Sequence, residues 1–119
     1  MVTGEDMGSL IRKLLTTNKE YSKDDIKFTI YCLAKMQDRG IGEDLVVETL
    51  TLNNELYYAE RQEVLLYDKR ETRYKLIYKV SSRYSLIIIV AYEGKILKVI
   101  NVIKTSKSAE KLWRKKISK

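Results

Sequence analysis

Apolar residues recur along the first half of the chain at helical spacing. Leu10, Ile11, Leu14 and Leu15 follow an i, i+1, i+4, i+5 pattern that predicts a short helix ending near Asn18, and residues 18–25 read as a polar connection. Thr29 is placed to cap a second helix, with Ser22 as an earlier alternative start. Ile30, Leu33, Ala34 and Gln37 fall on one face of that helix, and Gly40 sits where a left-handed residue would end it. Gly42, Glu43 and Asp44 open a third helix with the negative first turn that a helix dipole favours, and Leu45, Val46, Thr49 and Leu50 form its buried face.

After Asn53-Asn54 the period changes to two. Residues 63–67 and 73–80 are rich in aromatic and β-branched residues and predict two strands, with residues 68–71 turning between them. Residues 84–92 and 95–103 predict two more, joined by a tight connection at Glu93-Gly94 and preceded by a turn at Ser81-Ser82. Along 73–80, Tyr74, Leu76, Tyr78 and Val80 share one face, while Arg73, Lys75, Ile77 and Lys79 share the other. That is the pattern of a half-buried strand with a basic outer side. Residues 84–92 are apolar on both faces and belong at the sheet centre. The expected class is α+β: N-terminal helices, a four-stranded antiparallel meander and a C-terminal basic helix.

At 119 residues, the chain suits one domain with one core, spanning 1–119, and its complete lack of proline leaves no rigid linker. The strongest apolar run, residues 86–91, is far short of the ~20 residues that cross a bilayer as a helix. The start of the chain lacks the basic and continuously apolar segments of a secretory signal, so cytoplasmic residence is expected. Cys32 is the single cysteine and histidine is absent, which excludes an intramolecular disulfide and removes the commonest zinc ligand and general base together. No metal and no cofactor is expected, and any catalysis must rest on Lys, Arg, Tyr, Asp or Glu. Gly-rich phosphate loops, nucleophile elbows and dinucleotide fingerprints are missing from the sequence.

Charge changes the picture more than composition does. Of the net +7, residues 104–119 carry +6 and the remaining 103 residues carry +1. Such a terminal cluster attracts polyanions by long-range fields and counterion release, and RNA, DNA and anionic lipid all qualify. Ala109, Leu112, Trp113, Lys116 and Ile117 recur at helical spacing beneath a basic face. This predicts a helix docked on the body of the protein, with Trp113 as its anchor in preference to an exposed base-stacking platform. A merely solubilising tail is the plain alternative. Membrane binding is set aside because the helix would be only about four turns long with few large apolar residues.

The stretch Phe28-Thr29-Ile30-Tyr31-Cys32-Leu33-Ala34-Lys35-Met36-Gln37-Asp38-Arg39-Gly40-Ile41 resembles the F-[ST]-x-H-A-x-x-R-M-x-x-R-G-I opening of a domain-of-unknown-function family grouped with the RelE, ParE and BrnT toxins. Phe28, Thr29, Met36, Arg39, Gly40 and Ile41 match as they stand. Lys35 keeps the charge of an arginine but not its fork geometry, and Tyr31 replaces the pattern's histidine. A following helix, a basic-aromatic strand like 73–80 and two apolar strands ending near Lys104-Thr105 are similar to that family's layout. The resemblance spans residues 26–105. Residues 1–20, as an extra N-terminal helix, and 106–119, as the basic C-terminal helix, are additions.

The resemblance implies a RelE/ParE-like fold and an RNA-directed protein. It would act either as a metal-independent endoribonuclease toxin of a toxin–antitoxin pair or as a descendant that only binds. RNA cleavage by internal 2′-hydroxyl attack needs a base, cations on the phosphorane and an acid for the leaving oxygen. On that reading Arg73, Lys75, Arg83 and Tyr78 are the catalytic candidates. Lys35, Arg39, Lys79, Lys107, Lys111, Arg114 and Lys115 are the RNA-binding ones, and Tyr31, Tyr74, Tyr84 and Tyr92 are further aromatic groups. Structural alternatives stand beside each: strand tyrosines commonly fill cores, and Arg39 can fix its helix end through carbonyl contacts. The implied partners are RNA, ribosome-associated or free, or another nucleic acid, an acidic antitoxin and a second copy in a homodimer. A non-enzymatic nucleic-acid-binding or protein-interaction module is the alternative.

Overall fold

A computed structural model describes residues 6–106. The elements are α1 (Met7–Lys19), a 3-10 turn (Lys23–Asp25), β1 (Ile26–Phe28), α2 (Ile30–Arg39), α3 (Glu43–Leu52), β2 (Leu56–Leu66), β3 (Lys69–Lys79), β4 (Ser85–Glu93) and β5 (Ile96–Thr105). The class is α+β. Five strands form one sheet in the order β1-β5-β4-β3-β2. Neighbours from β2 to β5 run antiparallel, whereas β1 pairs parallel with β5 through Ile26↔Leu97 and Phe28↔Val99. The sheet is therefore mixed and five-stranded, not the four-stranded antiparallel sheet expected. The added strand is only three residues long, too short to set up a visible alternation. The C-terminal helix expected over 106–119 lies outside the described residues but for Ser106.

Local chemistry explains the helix ends. Asp6 caps α1 by accepting from the Ser9 amide at 2.7 Å, and the Thr29 hydroxyl caps α2 by accepting from the Cys32 amide at 3.0 Å. Gly40 ends α2 at φ 69°, a left-handed conformation that costs a glycine little. α3 starts after Gly42 with Glu43 and Asp44 in its first turn.

The core lies between the helices and one face of the sheet, here called the inner face. Leu10 and Leu14 of α1, Cys32 and Met36 of α2, and Val46 and Leu50 of α3 meet Leu76, Tyr78, Leu86, Ile88, Val90, Leu97, Val99 and Val102. The α2 face expected to be buried points outward instead: Ile30 is 87% exposed, and Leu33 and Ala34 are exposed too. Cys32, Met36 and the adjoining Ile41 take the buried role. An offset of two residues, roughly half a turn at ~100° per residue, decides this, and a partly apolar surface gives periodicity little to choose by.

β2 begins at Leu56, well before the expected residue 63. A bulge at Tyr57 explains the difference: Leu56 pairs with Tyr78 on the inner face, but Tyr58 pairs with Ile77 on the outer one, so the alternation breaks. The β2–β3 connection is also tighter than expected. Leu66 pairs with Lys69 across Tyr67 and Asp68, both at positive φ (48° and 71°), which is the two-residue hairpin geometry that matches strand twist.

Candidate functional site

Strand parity divides the candidate residues between the faces. Tyr78 points inward and is fully buried, and its hydroxyl accepts from Asn18 Nδ2 at 3.0 Å. The Tyr92 hydroxyl donates to Asn18 Oδ1, and the Tyr92 ring packs on Tyr74 and Tyr21 at centroid distances of 5.6 and 6.1 Å. Burial pushes the Tyr78 phenol up to about 12 and raises Tyr92 further, because a phenolate there would lose its hydration. This is a neutral polar centre inside the core. Tyr78 cannot share a site with Arg73 and Lys75, which occupy the opposite face.

The outer face is graded along the strands. At one end, Arg73 Nε donates to Glu71 at 2.6 Å, and Lys98 Nζ bridges Glu71 at 2.8 Å and Glu93 at 2.7 Å. The hydrogen bond from Lys98 is the largest influence holding the Glu71 carboxyl below its ordinary range, with Arg73 adding to it. Hydrogen bonds to Glu71 and Glu93 likewise raise Lys98. Arg73, read from the sequence as a catalytic cation, is thus already compensated. Toward the middle, Lys75 lies opposite Glu60 on β2 and Ile89 on β4. Next comes an apolar band in which Ile77 pairs with Tyr58 and Ile87, and Ile87 with Ile103.

Cations collect beyond this band, where β3 leaves the sheet and β5 ends. Lys79 pairs with Ser85, Ser85 with Thr105, and Leu86 with Lys104. Arg83 sits in the intervening turn, which is held by Ser81 Oγ accepting from the amides of Arg83 and Tyr84 at 3.1 and 3.3 Å. Lys104 Nζ stands 4.4 Å from the Tyr84 ring centroid, a cation–π contact. Among the described residues no carboxylate pairs with Lys79, Arg83 or Lys104.

The remaining candidates lie elsewhere. Arg39 donates from Nη1 to Asn101 Oδ1 at 2.9 Å and to the Val102 carbonyl at 2.7 Å, tying the end of α2 to β5. Lys35 stands 5.7 Å from the ring centroid of Tyr31, both on α2. Lys107, Lys111, Arg114 and Lys115 lie outside the described residues. Lys104 was missed as a site residue because it read as part of the tail. Counting back from the Glu93↔Ile96 hairpin places it beside the start of β4.

Comparison of the chain with protein-family models, curated proteins and solved structures finds no match in any of the three. The arrangement itself offers a cationic, aromatic-edged sheet end suited to phosphate groups, in continuity with the basic residues that follow it.

Proposed function

We propose that this chain is an RNA-binding protein that grips the phosphate backbone at the sheet end formed by Lys79, Arg83 and Lys104, together with the basic residues up to 119. The observation carrying this is the uncompensated state of these cations among the described residues, against the neutralised Arg73 and Lys98 at the opposite end. Each cation that displaces counterions from phosphate adds affinity that falls with salt. Tyr84, packed against the core, positions Lys104 at this end through the cation–π contact. The RelE-like part of the reading rests on the resemblance over residues 26–105. An acidic antitoxin segment would compete with RNA for the same end.

Endoribonuclease chemistry is the narrower version of this proposal. It would have to proceed without Tyr78, which lies in the core, and with Arg73 engaged by Glu71. Binding without cleavage is therefore the better-supported form. A protein-interaction role draws on a different surface, the exposed Ile30, Tyr31 and Leu33 of α2.

The test is titration of labelled single-stranded RNA, followed by anisotropy at several salt concentrations. Replacing Lys79, Arg83 and Lys104 together by Glu should weaken binding strongly and flatten the logarithmic salt slope by about 2, at ~0.7 per phosphate contact. Unchanged affinity overturns the proposal. Incubating the same RNA in EDTA and analysing for 2′,3′-cyclic phosphate ends separates cleavage from binding.

A further inference from the structure

β2 lies at one side of the sheet, and among the described residues no strand pairs with its other edge. Proline or lysine commonly guards such an edge, yet the eleven residues of β2 contain neither. β3 meets β4 only from Tyr74 to Lys79, so residues 62–66 and 69–73 project past β4 as a two-stranded ribbon. A ribbon of that kind is marginal in water without a third strand. Its apolar side chains are open as well, with Leu65 70% exposed.

Turn geometry fixes which backbone groups face off the edge. Leu66 and Lys69 close a two-residue hairpin, the turn class in which the closing pair bonds to each other, so by alternation the amides and carbonyls of Arg61, Glu63 and Leu65 point away from β3. An added strand must set outward residues against outward residues. For two copies related by a two-fold axis, centring on Arg61 opposes two arginines, and centring on Glu63 opposes two glutamates. Centring on Gln62 instead sets Arg61 of each copy opposite the partner's Glu63, the favourable cross-strand pairing.

We propose that a second copy of this chain occupies the β2 edge by antiparallel pairing about Gln62, continuing the sheet across both protomers. Arg61 Nε already meets Glu63 at 3.1 Å within the strand, and both side chains are exposed, so the two pairs join into a ring of two arginines and two glutamates. Leu65 comes opposite the partner's Ala59 and Leu66 opposite the partner's Tyr58, each at the margin of a buried cluster. The projecting residues 62–66 thereby lie along the partner's residues 58–62, which start within its own sheet.

Sedimentation equilibrium of the whole protein, without RNA, should fit a monomer–dimer equilibrium. Arg61→Glu sets glutamates against glutamates and Glu63→Arg sets arginines against arginines, so each variant alone should raise the dimer dissociation constant about tenfold or more. Mixing the two variants restores opposite charge at every contact, and a heterodimer should form with near wild-type affinity. Thr72 bonds Glu63, so if Glu63→Arg fails to fold, Gln62→Lys, which opposes itself across the axis, should weaken the dimer alike. A wild-type chain that stays monomeric up to its solubility limit overturns the proposal. So does a dimer that none of these variants weakens, which would lie on another surface, and so do charge variants that fail to recover on mixing, since the register would then be different. Lys79, Arg83 and Lys104 take no part in the pairing and the readout contains no RNA, so this inference and the proposed function fail separately.

Discussion

The two faces of the sheet accommodate polar groups in opposite ways. On the inner face, where three helices exclude water, the polar centre of Asn18, Tyr78 and Tyr92 is neutral and closed on itself. On the outer face, where side chains remain partly wet, Glu71, Arg73, Lys98 and Glu93 form an ionic network at one end. Burying a charge costs far more than burying a hydrogen-bonded amide or phenol, so the uncharged solution belongs where the dielectric is lowest. The outer face then divides again. One end pairs its cations, and the other leaves Lys79 without a carboxylate partner among the described residues, as it does Arg83 in the adjoining turn and Lys104, which its pairing with Leu86 places on the inner-face side of the same sheet end. Pairing ties β3, β4 and β5 together at one end, and among the described residues the other end lacks it.

The contrast between the faces breaks most visibly at Asn18. Asn18→Ala removes the donor to Tyr78 and the acceptor for Tyr92 together, and leaves both phenols enclosed. Stranding buried polar groups in this way should cost about 2–4 kcal/mol in urea unfolding. Tyr78→Phe, which strands only the Asn18 amide, should cost less. Equal losses for the two variants would mean that the centre is held by packing and not by its hydrogen bonds.

Much of the inner face was legible because its signals are local. Thr29 and Gly40 frame α2 through a hydroxyl cap and a left-handed stop, and β4 is apolar at both parities, as a central strand must be. The misreadings share a different cause, since each depends on contacts made far along the chain. β1 becomes a strand only because β5 pairs with it, and the bulge at Tyr57 conceals the early start of β2. Tyr67-Asp68 turns a hairpin with neither the Asn nor the Gly that would announce one. For the candidate site, the sequence showed the basic side of β3, but pairing decided which members stay available. Glu71 is two residues from Arg73 and takes it, while Glu93 and Lys98 arrive from neighbouring strands. Parity alone was enough to separate Tyr78 from Arg73.

A medium effect is expected at Glu71. Its side chain is 19% exposed and joins two cations, so Glu71→Gln should destabilise the fold by about 1–2 kcal/mol, less than Asn18→Ala. Its pH dependence has a definite sign. The folded-state Glu71 pKa is lowered, so its contribution is present above the ordinary value of 4.5 and is lost as pH falls through the lower folded value. Lys98 is raised, so its contribution is present below 10.5 and is lost as pH rises through the higher folded value. Urea titrations at neutral and acid pH should therefore show wild type and Glu71→Gln converging in acid. Parallel curves would remove the network from the account of stability.

The smallest stability change and the most discriminating result should come from comparing Arg73 on β3 with Arg83 in the turn that follows it. Arg83 is exposed in a turn, and among the described residues its guanidinium has no carboxylate partner, so Arg83→Ala should alter stability by less than about 0.5 kcal/mol. It should nevertheless weaken RNA binding and lower the salt slope by about 0.7, the loss of one phosphate contact. Arg73→Ala should do the reverse, costing stability through Glu71 while leaving the RNA titration unchanged. Anisotropy and urea unfolding on the two variants complete a cross-comparison in which each arginine moves one measurement and not the other. If Arg73→Ala abolished RNA binding and Arg83→Ala did not, the binding surface would have to move to the paired end. The unpaired cations would then be ordinary solvated charges.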